Sequence, residues 1–386
     1  MNKLNRIVKK SLIKYSVGII LLYITVCSIA CSEKMVDPMA ASLSLTEEQS
    51  YTAADATAAF NAFNTYYYNP TAKLYYSNTD QDDIGAIWTQ AIYWDIAMHR
   101  YIRTGDEVDL SLVHDIYQGG YDQYDGYNWE NTTEWFIYDD IMWWVIALAR
   151  AYELTENPVY LEKSISGFAR VWRDSYDPVD GGMYWSFDHT GKNACINYPT
   201  VIAAMRLYHI TGEVDYLDKA KDIYAWSKEN LFNNSNGQVA DHKIGDNPPG
   251  YEDYTYNQGT CIGAAVMLYQ ATDSSAYLDD AVKAADYTKN EMSDASGILP
   301  AEGDWNEQGV LKSIFAHYIH LLIEEADQDQ YRAWIYDNIN SAWRNRDTAR
   351  GIMHRDYTAP CPTGVVQSYE SSSGVAFMQL FDPLTE

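Results

Sequence analysis

The amino-acid sequence predicts an all-α fold, an (α/α)6 toroid of six inner and six outer helices, on three observations. Helical segments recur in pairs. One member of each pair is apolar nearly all round and the other is amphipathic. The connections entering the apolar members are long and rich in Gly and Pro. The recurrence shows in residues 98–105, 150–155, 206–212 and 267–273, whose aligned Thr104, Thr155, Thr211 and Thr272 stand 51, 56 and 61 residues apart. That period exceeds a tetratricopeptide or ankyrin unit and suits a long helix pair with a variable loop.

Taken in order, residues 46–68 form an amphipathic segment with no apolar partner beside it in sequence. Inner helices are predicted near 84–104, 138–155, 194–211, 257–272, 308–325 and 368–381. Residues 141–149, Ile-Met-Trp-Trp-Val-Ile-Ala-Leu-Ala, typify them, because a helix hydrophobic on every side must be buried on every side. Outer helices are predicted near 107–118, 158–173, 214–231, 275–292 and 329–345, each with one face fit for water. The last inner helix lacks a successor. Docking residues 46–68 beside it closes six pairs into a ring, although an open solenoid shows the same local pattern. No Pro/Ser-rich linker interrupts residues 46–386, so they read as one domain. Gly119-Gly120, Gly181-Gly182, the run from Asn247 to Gly250 and the run from Gly297 to Gly303 mark loops entering inner helices. These loops fall at one rim, where a binding cleft is expected.

Residues 1–30 read as an export signal: Lys3, Arg6, Lys9, Lys10 and Lys14 precede an apolar run from Val17 to Val26, too short for a membrane span. Ser28-Ile29-Ala30-Cys31 then reads as a lipoprotein processing site, with residues 31–45 as a tether; ordinary cleavage near Ala40 or Ala41 is the alternative. Two acyl chains on Cys31 would hold the protein at the cell surface or on the outer membrane, the periplasmic face being the alternative, with no other membrane attachment.

Removing the leader's five basic residues takes the formal charge from −27 to −32. Such a field repels nucleic acid and anionic surfaces and favours a neutral or cationic ligand. Cys195, Cys261 and Cys361 remain, odd in number and without metal-ligand spacing, so neither a disulfide framework nor a metal or other cofactor is indicated. A monomer is expected. Tyr appears 34 times and Trp 12 times against 9 Phe. Rings with a polar edge suit sugars, which offer C–H faces for stacking and hydroxyls for hydrogen bonding.

Asp139-Asp140 stands directly before the most apolar helix, behind Tyr138. Helix capping is one reading. The other is catalysis: neighbouring carboxylates lie at about the 5–5.5 Å expected of retaining glycosidases, and their mutual repulsion raises one pKa. Asp82-Asp83 heads the first inner helix and competes for the same role; Asp279-Asp280, on an outer helix, reads as solvated surface.

Residues 138–144 and 151–155, with Gly181 to Trp185, Lys192 to Asn197, Tyr256 to Thr260 and Leu311 to Phe315, resemble glycoside hydrolase family 76, the bacterial endo-α-1,6-mannanases and relatives. The resemblance covers most of residues 80–325 in family order. It implies an (α/α)6 fold and a retaining mechanism with Asp139 as nucleophile and Asp140 as general acid/base. Trp185, Lys192, Asn193, Asn197, Tyr256, Asn257, Gln258 and Lys312 become candidates for the cleft, beside Trp88 and Gln90 one turn into the first inner helix, Tyr138, and the Asp82-Asp83 pair. The implied substrate is α-mannan, cut within its α-1,6-linked backbone. Transglycosylation on mannan-linked glycans, glycan binding without turnover, and other (α/α)6 enzymes such as epimerases and unsaturated uronyl hydrolases are the competing readings.

Overall fold

The computed structural model describes residues 50–383. The leader, Cys31 and the tether lie outside the described residues. Twelve α-helices run through the described part: α1 (Ala53–Tyr67), α2 (Ile87–Thr104), α3 (Glu107–Gln123), α4 (Tyr138–Thr155), α5 (Pro158–Ser175), α6 (Ala194–Thr211), α7 (Val214–Asn230), α8 (Thr255–Thr272), α9 (Ser275–Tyr287), α10 (Leu311–Glu325), α11 (Arg332–Arg344) and α12 (Ser368–Leu380). None of them is long and apolar enough to cross a membrane.

The aligned threonines explain the repeat. Each bonds its hydroxyl back to the carbonyl four residues earlier: Thr104 to Arg100, Thr155 to Ala151, Thr211 to Leu207 and Thr272 to Leu268. The same oxygen accepts the amide two residues on, at Asp106, Asn157, Glu213 and Ser274. Between them sits a left-handed C-cap: Gly105, Glu156, Gly212 or Asp273. One threonine thus ends an inner helix and starts its outer partner.

Inner helices pack side by side in the order α2, α4, α6, α8, α10, α12, and α12 returns to α2. Tyr93 Oη on α2 bonds Ser368 Oγ at 3.1 Å, and Ser313 on α10 meets Ser372 at 3.0 Å. Helix α1 covers α12 from outside, where Gln379 Nε2 donates to Ala56 O at 2.8 Å. The ring is closed, and Ala53–Tyr67, within the segment expected to do so, supplies the missing outer helix. Its core includes the fully buried Trp94, Trp135 and Trp144. The strands are short: Tyr68–Asn69 pairs antiparallel with Leu74–Tyr75, and Lys192–Asn193 with His242–Lys243.

Two expectations change. Gly119-Gly120 lies inside α3 rather than in a loop, because a Cβ at Gly119 would strike the backbone of Ala72 and Lys73, and one at Gly120 would strike Tyr127 and Trp144. Asp280 is buried, accepting from Tyr224 Oη at 3.0 Å and Lys228 Nζ at 2.7 Å, so only Asp279 is surface.

Candidate active site

The N-terminal ends of five inner helices converge on a cleft of about 590 Å³. Trp88 comes from α2, Asp139, Asp140 and Trp143 from α4, Cys195 from α6, Tyr256 from α8 and Leu311 from α10. Loops add Trp185, Asp241, Glu252, Tyr254 and the segment from Trp305 to Gln308. Trp88 and Trp143 face each other with ring centroids 6.5 Å apart. Among the described residues, the cleft walls hold five carboxylates and no Lys, Arg or His.

Neither aspartate caps α4. The N-cap is Ile137, with no side-chain cap bond, and the helix start is pinned instead by Tyr138 N donating to Trp185 O at 2.9 Å. Both carboxylates are therefore free for other work. Asp139 is 9% exposed, touched by the Cys195 thiol and the Trp185 and Trp143 indoles, while its Oδ1 has no partner among the described residues. Tyr256 donates in turn to Cys195. Burial pushes Asp139 upward against those three donors. Asp140 is pushed well up, by burial first and then by the charges of Asp139 and Glu307. Such a pair retains one proton, and the heavier penalty places it on Asp140.

Of the residues singled out in the sequence, Trp88, Asp139, Asp140, Trp185, Asn193 and Tyr256 line this cleft. Asp82 and Asp83 are exposed and absent from its walls; their loop turns them to solvent before α2 begins. Gln90, Asn197 and Gln258 stand behind the cleft and hold loops. Gln90 exchanges both hydrogen bonds with the backbone of Tyr75, Asn197 does so with Met183, and Gln258 accepts from Val239 N and donates to Gly237 O and Ala284 O. Lys192 is spent on Asp177, at 2.7 Å, and on Gly181 O. Lys312, fully buried, donates to Pro300 O at 2.7 Å and lies 3.6 Å from Glu302. Tyr138 lies under the Arg170 guanidinium, and Asn257 orients the cleft wall by donating to Asp241 Oδ1 at 3.1 Å.

Asp241, Glu252 and Glu307 were not among the sequence candidates. A signal for Asp241 existed. Asp177, Asn233 and Asp347 each open a turn closed by a left-handed glycine four residues on: Gly181, Gly237 and Gly351. Aligning these turns puts Asp241 at the position of Trp185, eight residues after the turn begins. Glu307 has no such signal.

Below the cleft, Trp143 separates it from a cavity of about 30 Å³ reaching Asp95 and His317. Asp95, His99 and His317 group within 4.8 Å of one another. Arg150 pairs with Asp95, and Arg206 lies 3.4 Å from His317 Nε2 and 2.7 Å from Glu153. Burial and these guanidiniums hold His317 well below its ordinary pKa and neutral. Two adjacent fixed cations make the group a poor seat for a dication.

The comparisons agree with this architecture. The α-1,6-mannanase GH76A of Salegentibacter sp. HEL1_6, in an inactive variant with two consecutive aspartates replaced and bound to α-1,6-mannotriose, superposes with TM-score 0.77 at 28% identity, covering 85% of this chain and 98% of that one. The Lin0763 protein of Listeria innocua gives 0.76 at 25% identity, covering 85% and 96%. Mannan endo-1,6-alpha-mannosidase DCW1 of Saccharomyces cerevisiae is 28% identical over 186 residues, 44% of this chain and 40% of the yeast protein's length. The family model for glycosyl hydrolase family 76 matches residues 50–379. A helix ring with a carboxylate-lined cleft, matched by that model over nearly all of its described length, belongs to glycosyl hydrolase family 76.

Proposed function

We propose that this protein is a retaining, endo-acting glycoside hydrolase that cleaves α-1,6-mannosidic bonds in the backbone of fungal-type mannan. The observation that carries the reading is the adjacent, uncapped carboxylate pair at the cleft floor. Asp139, raised less than Asp140 and with an unpartnered oxygen, attacks the anomeric carbon as the carboxylate; Asp140, the more strongly raised, protonates the leaving oxygen and then activates water. Trp88, Trp143 and Trp185 supply faces for sugar rings. The anionic walls disfavour uronides. The Salegentibacter complex and the yeast relative support α-1,6-mannan as substrate.

The test is digestion of linear α-1,6-mannan followed by NMR of the first anomer released. The reading expects short oligosaccharides with α configuration, and β-anomers released first would defeat retention. Asp139→Asn and Asp140→Asn should each lower turnover by about 10³-fold or more while glycan binding persists. Asp82→Asn and Asp83→Asn should leave the chemical step unchanged. Binding without product in the unaltered protein would favour a glycan-binding role. Export as a lipoprotein belongs to the same reading: Cys31→Ala should release the protein from membranes, and unchanged association would refute the anchor.

A further inference from the structure

The turn before α10 is strained where it meets the cleft. Asn306 and Glu307 are consecutive non-glycine residues in the left-handed region, at φ 48° and 57°. Such conformations are strained for residues with a side chain and persist only where the surroundings over-determine them. Here Trp88 Nε1 donates to Glu307 Oε2 at 3.1 Å and Gln308 Nε2 donates to Tyr254 Oη at 3.0 Å. Arg355 ties Asp304, and Gly309 abuts Tyr369 and Glu370 so closely that a Cβ would come within 2.9 Å of the tyrosine ring. Glu307 does not cap α10, whose N-cap is Val310, without a side-chain cap bond. Its carboxylate is instead delivered into the cleft that holds Asp139 and Asp140.

We propose that Glu307 is a positioning residue, locked against Trp88 by this strained turn so that its charge keeps the leaving-group proton on Asp140. The proposal rests on Asp140 being the general acid. The groups around Asp140 agree. Asp139 stands beside it on α4, Tyr124 lies behind it, and Asp241, Glu252 and Tyr256 complete the other walls. Among them Asp139 and Glu307 act on Asp140 by charge, with no basic wall residue among the described residues to offset them.

The experiment is the pH profile of kcat/KM on α-1,6-mannan for Glu307→Gln and Glu307→Asp. Removing the charge makes Asp140 a stronger acid, so it loses its proton at lower pH. The alkaline limb of Glu307→Gln should therefore move down by about one pH unit, with the acid limb in place. Glu307→Asp should restore much of the limb. An unmoved alkaline limb, or a raised KM with both limbs unmoved, overturns the proposal and makes Glu307 a sugar contact. If Glu307→Gln fails to fold, Trp88→Phe, which frees the same carboxylate, should move the limb the same way, and an unmoved limb there is equally fatal. Asp140→Asn on mannan separates the two readings: near-normal turnover would remove the acid assignment itself, whereas lost turnover with an unmoved Glu307→Gln limb refutes only the role of Glu307.

Discussion

At the scale of single residues, Asp140 is a burden on the fold. A carboxyl whose folded-state pKa stands above its unfolded value of about 3.9 loses stability as pH rises from that value toward the folded one. Burial and two neighbouring charges raise Asp140. Asp140→Asn should therefore melt higher than the unaltered protein at pH 7, with the gap narrowing toward pH 4. Thermal melts across that range check it, and a gap independent of pH would contradict the charge origin. The loop-holding amides behave oppositely. Gln258→Leu removes the partner of the Val239 amide and of the Gly237 carbonyl inside the protein, while Ala284 O keeps the bonds it accepts from Thr288. It should cost about 2–4 kcal/mol of stability, visible in urea unfolding, with little change in KM. Sequence reading saw polar residues near a cleft in both cases. A buried amide that grips a loop and one that grips a sugar have the same chemistry and neighbouring positions, so only the bonds already made tell them apart.

Elements were more legible than residues, because hydrophobic periodicity is set by burial over many positions at once. All six inner helices fell where an all-round apolar pattern put them, within a few residues. The misplaced boundary at Gly119-Gly120 has a clear cause: glycine serves close packing inside α3 as readily as it serves a turn, and the contact that decides comes from residues 72–73. The repeat also exposes unequal workmanship in its hairpins. Gly105 and Gly212 occupy the left-handed cap at no steric cost, whereas Glu156 adopts φ 56° with a side chain. Glu156→Gly should stabilise the protein by about 0.5–1 kcal/mol, the relief of strain outweighing the added freedom of the unfolded chain. Asp273→Gly should gain less, since aspartate tolerates this conformation better. Chemical denaturation measures both.

For the whole molecule, ring closure was the step that local pattern left open, since nothing in one helix pair states how many pairs complete a turn. It is decided by contacts between residues some three hundred positions apart: Gln379 with Ala56, and the hydroxyl of Tyr51 with the carbonyl of Phe381. That seam has a consequence for chain order. The described residues begin and end against each other, so the fold is a loop of six near-equivalent hairpins that the backbone happens to interrupt between α12 and α1. Joining residue 383 to residue 50 through a short Gly/Ser bridge and cutting instead at the exposed turn near Asp273-Ser274 should yield a permutant with the same far-UV spectrum and a cooperative melt. Its folding rate is the more telling number, because the cut converts the longest-range contacts of the ring into local ones and makes distant neighbours of α8 and α9.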